Sequence, residues 1–232
     1  MWKVCKAMSN ARCSKKIRQR DMLYWILLIF IVVGFFYPIV GLLAIVCMIA
    51  PVAMSVFRGR YWCGHFCPRG SYYDKLITKI SRNRKIPDFI RSRGFRGFML
   101  FFIFAMFGIQ MYFAWGDWSA MGGVFWNIIF VTTVVATILG IVYSPRAWCT
   151  FCPMGTLSAM VAPRKHKGTF KNIHIGQSCV LCKRCAKVCP MQLKPYEARG
   201  AEAGLLDSDC IKCGACIPKC PKKSMTMRKI EQ

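Results

Sequence analysis

Two runs of cysteines near the end of the chain have the residue type and spacing of metal-binding sites. The first run, CVLCKRCAKVCP, occupies residues 179–190, and the second, CIKCGACIPKCP, occupies residues 210–221. In both, the cysteines are three, three and four residues apart and a proline follows the last one. Thiolates are soft ligands, and several in one short loop can converge on a small metal group. The spacing therefore predicts two metal sites of the same kind.

A cubane [4Fe–4S] cluster needs four thiolates, and in two-cluster bacterial ferredoxins the fourth cysteine of each run binds the other cluster. On that rule the first cluster is held by Cys179, Cys182, Cys185 and Cys220. The second is held by Cys210, Cys213, Cys216 and Cys189. Zinc sites and disulfides are the alternatives, but structural zinc usually uses two separated CxxC pairs. The sequence thus predicts two [4Fe–4S] clusters.

A second cysteine pattern occurs twice earlier in the chain, as YWCGHFCPRG at 61–70 and AWCTFCPMG at 147–155. Each copy follows directly on a long apolar stretch, so the chain is predicted to contain two similar two-helix halves. The four thiols are those of Cys63, Cys67, Cys149 and Cys152. They could complete a third iron–sulfur cluster, form a redox-active dithiol, or serve a structural role that includes zinc binding.

Other reactive side chains lie near these motifs without a specific pattern. His65 could act as a ligand or pass a proton to a quinone, and Asp117 could accept a quinol proton, but both also suit ordinary interface and loop positions. Cys47 is predicted to be a small, buried apolar residue of a helix. Cys5 and Cys13 are either free or lipidated.

The composition indicates a membrane protein with a basic surface. Apolar residues make up 55% of the 232 residues, and 34 Lys and Arg against 9 Asp and Glu give a net charge of +25. Such an excess fits nucleic acid, an anionic membrane or an acidic protein partner. No nucleic-acid-binding motif accompanies it. We therefore expect lipid and redox proteins as partners, and no nucleic acid.

Four apolar stretches are predicted to span the membrane: 22–37, 39–57, 98–115 and 123–143. Pro38 and Gly41 divide the first two, because proline and glycine interrupt helices. Every Lys and Arg lies before the first stretch, between the second and third, or after the fourth. The positive-inside rule then places both termini and the central loop in the cytoplasm. The prediction is a multi-pass protein of the cytoplasmic (inner) membrane.

The predicted fold is an α-helical membrane protein with four transmembrane helices, joined to a small α+β ferredoxin-like domain. A basic cytoplasmic segment occupies 1–21, the transmembrane domain with its two Cys-Pro motifs occupies 22–165, and the domain with two [4Fe–4S] clusters occupies 172–230.

Residues 172–230 resemble the bacterial-type two-[4Fe–4S] ferredoxin domain, which implies a βαββαβ fold. The whole chain from about residue 22 is similar to membrane ferredoxins of the NapH/NosR type, polyferredoxins described as quinol dehydrogenase membrane components. In that family the spans carry CxxxCP motifs on the cytoplasmic side. Cys63 and Cys67 match the motif. Cys149 and Cys152 match it one residue short, which leaves the geometry of the second pair open.

These features predict a membrane-bound iron–sulfur electron-transfer subunit. It would relay electrons between cytoplasmic donors or the quinone pool and a partner oxidoreductase. No nucleophile–base set, phosphate loop or nucleotide motif is recognised, so we expect a component of an oxidoreductase complex rather than a stand-alone enzyme. The alternative is an accessory factor for the maturation or redox regulation of a respiratory metalloenzyme.

Overall fold

The computed structural model describes residues 11–162, 171–201 and 204–229, and at 11–21, 171 and 229 it describes the backbone alone. The described part is mostly helical and contains one small sheet near its C-terminal end. Residues 1–10 of the predicted basic segment, including Cys5, lie outside the described residues. The Cys13 side chain lies outside the described side chains.

The longest uncharged stretch of the sequence forms two helices joined by a tight turn. Helix α1 spans Ala11–Phe36 and helix α2 spans Ala44–Arg58, with a 3₁₀ turn at Pro38–Leu43 between them. Tyr37 leaves the helical conformation because a following proline disfavours it. The predicted break near Pro38 is therefore found.

A series of short helical segments follows α2 and carries the first Cys-Pro motif. They are α3 (Tyr61–His65), α4 (Pro68–Tyr72), a π-helical turn (Tyr73–Ile77), α5 (Thr78–Ile80) and α6 (Asp88–Arg91).

Two long helices come next, α7 (Arg93–Phe113) and α8 (Trp118–Val142). Both begin several residues before the apolar stretches predicted from the sequence, because polar side chains cap their first turns. The Ser92 hydroxyl accepts a hydrogen bond from the backbone N–H three residues on at 3.2 Å, and Asp117 accepts one from the N–H two residues on at 2.8 Å. Asp117 therefore has an ordinary structural role at a helix start.

Three helical segments are long and apolar enough to cross a membrane: Pro38–Arg58, Arg93–Phe113 and Trp118–Val142. The first predicted span corresponds to a shorter apolar segment, Met22–Phe36. A helix perpendicular to the membrane needs about 20 residues to cross a hydrocarbon core of about 30 Å. Helices long and apolar enough for three of the four predicted spans are thus found among the described residues, and the first span stays a prediction.

After α8, a 3₁₀ turn at Trp148–Thr150 leads into helix α9 (Pro153–Val161). The two long pairs, α1–α2 and α7–α8, are thus each succeeded by one helical turn and then by a helix that starts at the proline of a Cys-Pro motif. This order agrees with two similar halves. Because they contain the predicted spans, we refer to residues 22–162 as the membrane part.

Two glycines bring the turn of the first pair against helix α8. A Cβ atom on Gly122 would fall on the carbonyl oxygen of Pro38, and a Cβ atom on Gly41 would fall on the carbonyl oxygen of Gly122. The two backbones therefore pack at a distance that no side chain at these positions permits.

Substituting Gly122→Val should lower the thermal stability of the protein in detergent. Overpacking of a tight contact typically costs about 1–3 kcal/mol. The matched control is Gly108→Val in α7, where an added Cβ meets nothing within 4 Å. Differential scanning calorimetry of both variants provides the test, and an equal loss of Tm in the control would show that the Gly122 contact is not the cause.

The C-terminal part, which we call the head (residues 171–229), is built round an antiparallel pair of strands. Strand β1 (Lys171–Ile175) pairs with β2 (Met225–Lys229), with Ile175 opposite Met225. Its remaining elements are short: α10 (Arg184–Lys187) and 3₁₀ turns at Pro195–Ala198 and Ile217–Lys219. The core consists of Ile173, Ile175, Cys185, Cys216 and Met225.

The head departs from the βαββαβ pattern implied by the ferredoxin resemblance. In the described ranges it has two strands, and a single isolated parallel bridge joins Ile175 to Arg199. Gly200 and Gly204 have positive φ angles of 71° and 67°, so the chain turns there instead of extending.

Candidate metal centres

The two cysteine runs of the head share the same backbone turns. Equivalent residues of the two runs have left-handed φ angles, in the pairs Leu181 and Lys212, Lys183 and Gly214, and Gln192 and Lys223. A left-handed conformation costs a residue with a side chain roughly 1–2 kcal/mol. Its recurrence at matching positions indicates that both loops curve in the same way, as two sites for the same group require.

The four thiols predicted to hold the second cluster influence one another. Burial raises the pKa of Cys216, and negative charge at Cys213, Cys210 and Cys189 raises it further. Burial also raises the pKa of Cys210 to about 12. Buried thiols stay neutral near pH 7 unless positive charge compensates them, so this set suits a metal group that holds them as thiolates.

The set predicted to hold the first cluster is nearer to solvent. Cys179, Cys185 and Cys220 pack in the core of the head, whereas Cys182 is exposed. Burial opposes ionisation of Cys220, but hydrogen bonds hold its pKa below the usual value, and the Ser224 hydroxyl lies 3.2 Å from its sulfur. The two sites of the head therefore differ in their access to solvent.

In the membrane part, each Cys-Pro motif begins a helix. Cys67 is the N-cap of α4 and Cys152 is the N-cap of α9, and the proline after each is the first helical residue. The Sγ atom of Cys67 accepts a hydrogen bond from the backbone N–H of Gly70 at 3.4 Å. Unpaired N–H groups at a helix start favour a thiolate at this position.

The second loop reaches the same arrangement with one residue fewer. Cys63 lies in an α-helical turn and Cys149 lies in a 3₁₀ turn. These turns take about 3.6 and 3.0 residues, which accounts for CxxxC in one copy and CxxC in the other. In both copies the N–H of the second cysteine donates to the carbonyl of the preceding tryptophan, Trp62 at 3.1 Å and Trp148 at 2.9 Å. The geometry that the sequence left open is thus similar for the two pairs.

The four thiols of the two Cys-Pro motifs line one apolar cavity of about 460 Å³. Burial raises the pKa of Cys67 to about 12, and negative charge at Cys63 and Cys149 adds to the effect. Burial raises the pKa of Cys149 too, although the guanidinium of Arg146 opposes it. The structure therefore brings the predicted set together where thiolates need a compensating positive group.

A buried arginine stands three residues before the first cysteine of each loop and reaches across to the other loop. Arg60 donates from Nη2 to the carbonyl oxygen of Cys149 at 2.6 Å, and Arg146 donates from Nη1 to that of Cys63 at 2.9 Å. The two residues are only 2% and 1% exposed. We call this reciprocal pair the arginine clamp.

The glycine of each motif makes room for the clamp. A Cβ atom on Gly155 would contact the guanidinium of Arg60, and one on Gly70 would contact that of Arg146. The Nη1 atom of Arg146 also lies 3.8 Å from the Sγ atom of Cys149. The arginine, cysteines, proline and glycine of the repeated motif thus all have a role at one site.

Each arginine of the clamp has a carboxylate partner, but from different parts of the chain. Arg146 binds both oxygens of Asp74 in the membrane part, at 2.9 and 2.7 Å. Arg60 binds Asp209 of the head at 3.0 Å, and Arg96 binds the same carboxylate at 2.9 and 2.6 Å. Burial opposes ionisation of Asp209, but these two arginines hold its pKa below the usual value.

The head contacts the membrane part through the loop of the second predicted cluster. A Cβ atom on Gly64, which lies between Cys63 and Cys67, would contact the carbonyl oxygen of Ile211. The buried Lys212 side chain lies against Gly59, where an added Cβ would be 3.6 Å from Nζ. Three apolar residues of the head form one cluster: Met191, Leu193 and Ile211. This cluster packs against cysteines of the second head site and of the Cys-Pro motifs, namely Cys189, Cys210, Cys213, Cys63 and Cys149.

No three His, Cys, Asp or Glu side chains of the described ranges converge closely enough to hold a single metal ion. Four thiolates on one zinc ion, with Zn–S bonds of about 2.3 Å, would lie only about 3.8 Å apart. Thiolates bound to separate corners of an iron–sulfur cubane lie farther apart.

Two further predicted residues lie beside this site. The His65 ring stacks on Tyr61 with centroids 3.9 Å apart, and its Nδ1 lies 3.2 Å from the Tyr61 carbonyl oxygen. This packing gives His65 a structural role. Cys47 lies on α2 and lines the apolar cavity.

The sequence interpretation missed Arg60, Arg146 and Asp209. The two arginines could have been found from the sequence, because the pattern R-x-W-C occurs in both copies of the motif. Asp209 had none, because its partner Arg60 lies 149 residues away in the sequence.

Two family descriptions match the chain. Residues 40–87 and 123–170 each match a 4Fe-4S binding domain, and residues 171–221 match a 4Fe-4S dicluster domain. Each copy of the first match contains one of the two Cys-Pro motifs.

Curated relatives cover most of the chain at low identity. The uncharacterized proteins MJ0749 and MJ0750 of Methanocaldococcus jannaschii are 25% and 23% identical, over 84% and 77% of this chain and 80% and 76% of their own lengths. The putative electron transport protein YccM of Escherichia coli K12 is 27% identical over 81% of this chain and 56% of its own length. No solved structure matches.

Together these similarities support an iron–sulfur electron-transfer protein. The 4Fe-4S matches support iron–sulfur clusters, and the similarity to an electron transport protein implies redox partners.

Proposed function

We propose that this chain is a membrane-bound electron-transfer subunit with three iron–sulfur centres in a row. Its predicted ligand sets are Cys179, Cys182, Cys185 and Cys220, then Cys210, Cys213, Cys216 and Cys189, then Cys63, Cys67, Cys149 and Cys152. Such clusters supply one-electron transfer when they are bound. The observation that carries the proposal is the shared packing of the second and third sets on Met191, Leu193 and Ile211.

The residues of the third set fit such a group. Each matched copy of the 4Fe-4S binding domain supplies two thiols of the set, so one four-thiol site needs both copies. Burial raises the pKa of Cys67 and Cys149, so a bound positive group would be needed to hold these thiols as thiolates. The arginine clamp fixes the two loops relative to each other and places guanidinium charge beside thiolates.

The proposal includes the predicted topology. Four spans in a cytoplasmic membrane, with both termini and the head in the cytoplasm, follow from the distribution of Lys and Arg. The same proposal divides the chain into a basic segment (1–21), a transmembrane domain (22–165) and a domain with two [4Fe–4S] clusters (172–230). The short apolar segment of α1 can be accommodated by local thinning of the bilayer, at modest cost.

A quinone is the small redox partner that we propose for the membrane part. The apolar cavity beside the third set is walled by α1, α2, α7 and α8, and its volume is within the range of ligand pockets. Its polar residues include Arg69, which donates to the Thr132 hydroxyl at 2.9 Å and to the Ile129 carbonyl at 3.1 Å. An isoprenoid quinone could enter such a cavity from the lipid.

Iron and acid-labile sulfide per chain, with low-temperature EPR, test the number of centres. We expect about twelve irons in the wild type and about eight in Cys63→Ser/Cys149→Ser, because only the third set is removed. Cys47→Ser is the control and should keep all twelve. About ten irons falling to eight would mean a two-iron centre, and eight in both proteins would refute a third cluster.

Purification tests the cellular role. An electron-transfer subunit should be isolated in fixed stoichiometry with an oxidoreductase after mild solubilisation. A maturation or regulatory factor would be isolated without such a stoichiometric partner.

A further inference from the structure

The two cluster sites of the head face different surroundings. The loop of the second site is covered by the membrane part, through Ile211 against Gly64 and through Asp209 bound to Arg60 and Arg96. The loop of the first site is open instead: Cys182 is exposed, and the flanking Val180 and Leu181 are 56% and 45% exposed. An external electron carrier can therefore approach the first site more closely than the second.

The two cysteine runs of the head carry positive charge and no acidic residue. Residues 179–190 and 210–221 contain no Asp or Glu. The exposed cations next to the first set of cysteines are Lys183, Arg184, Lys187, Lys219, Lys222 and Lys223. The exposed Val180 and Leu181 add apolar surface to the same loop, and protein-binding surfaces combine apolar and polar residues. We call these eight residues and Cys182 the donor face.

We propose that the donor face binds a small acidic one-electron carrier protein, such as a ferredoxin or flavodoxin. This inference rests on the proposed function and adds the partner and the site at which it binds. One electron passes between the carrier and the centre held by Cys179, Cys182, Cys185 and Cys220, so one is oxidised as the other is reduced and no bond forms or breaks. The second and third sets then continue the path into the membrane part.

Charge and position both favour a protein over lipid as the occupant. Positive surface charge attracts an acidic protein over long range and raises its association rate. The contacts that attach the head to the membrane part come from the other cysteine loop and from residues 191–193. The donor face is therefore not required for that attachment.

The test uses the full-length protein in phosphatidylcholine nanodiscs, mixed rapidly with a reduced acidic ferredoxin. In Lys187→Glu/Lys222→Glu, the second-order rate at low salt should fall at least tenfold. The control Lys85→Glu/Lys194→Glu changes the net charge equally at two exposed residues outside the face, and it should stay within twofold. Equal losses in both variants, or no loss in the first, would overturn the proposal.

Two further measurements separate the explanations. The wild-type rate should fall as salt rises with the acidic carrier, and should rise with salt when the reduced protein donates to cytochrome c, which is basic. A rate that depends on added phosphatidylglycerol but not on the substitutions would assign the face to lipid and overturn the proposal. Iron content and reduction by dithionite test the proposed function separately. A protein without clusters would refute that function, whatever its rate of reaction with the carrier.

Discussion

Arg146→Gln should destroy the third site while the two sites of the head stay loaded. The substitution removes both bonds to Asp74 and the bond to the Cys63 carbonyl, all in a buried environment. Removing one partner of a buried ion pair typically costs about 3–5 kcal/mol, because the other charge is left uncompensated. We expect about eight irons per chain instead of about twelve, together with a clear loss of thermal stability.

Arg146→Lys should rescue this defect only in part, since an ammonium cannot reproduce the paired bonds to a carboxylate. The exposed Arg93 provides the control, and Arg93→Gln should keep full iron content. If Arg146→Gln kept twelve irons and wild-type stability, the clamp would not be needed to hold the two loops together.

Asp209→Asn should slow electron transfer from the head to the membrane part, while both cluster sites of the head stay loaded. The carboxylate of Asp209 joins Arg60 to Arg96, and Arg60 also holds the Cys149 carbonyl. Loss of this charge weakens the attachment of the head beside the third site. In freeze-quench EPR after rapid reduction of the head, we expect the third centre to be reduced at least tenfold more slowly.

The surface pair of Lys194 and Glu197 gives the matched control. Both side chains are more than half exposed, and such pairs contribute about 0–1 kcal/mol. Glu197→Gln should therefore leave the transfer rate unchanged. An unchanged rate in Asp209→Asn would show that other contacts, such as Ile211 against Gly64, fix the head without this carboxylate.

The parts of the molecule that follow from local spacing could be predicted from the sequence. The break at Pro38 depends on a few neighbouring residues, and the structure agrees with it. The cysteine intervals of the head are equally local, and the two runs share their left-handed positions. The starts of α7 and α8 were predicted too late because hydropathy does not register the capping bonds of Ser92 and Asp117.

Features that depend on contacts between distant segments could not be predicted. The spacing of Cys149 and Cys152 gave no indication that a 3₁₀ turn would compensate for the missing residue. The sequence interpretation did not distinguish Arg60 from the other basic residues of its loop. Its buried ion pair becomes visible only when its partner Asp209 is known. The βαββαβ pattern implied by the ferredoxin resemblance is found only in part, since the described residues of the head form two strands.

The unequal partners of the arginine clamp impose an order on biogenesis. Arg146 finds its carboxylate within the membrane part, whereas Arg60 depends on Asp209, which is made 149 residues later. The second loop ends at Gly155, so Asp209 is made 54 residues after both loops are complete. At about 5–20 residues per second, a ribosome needs roughly 3–11 s to cover that interval. Until then the membrane loops are joined by only one fully compensated arginine, and the face later covered by Ile211 is open. The head therefore completes the charge compensation of Arg60, and covers Gly64 with Ile211, only after both membrane loops have been made.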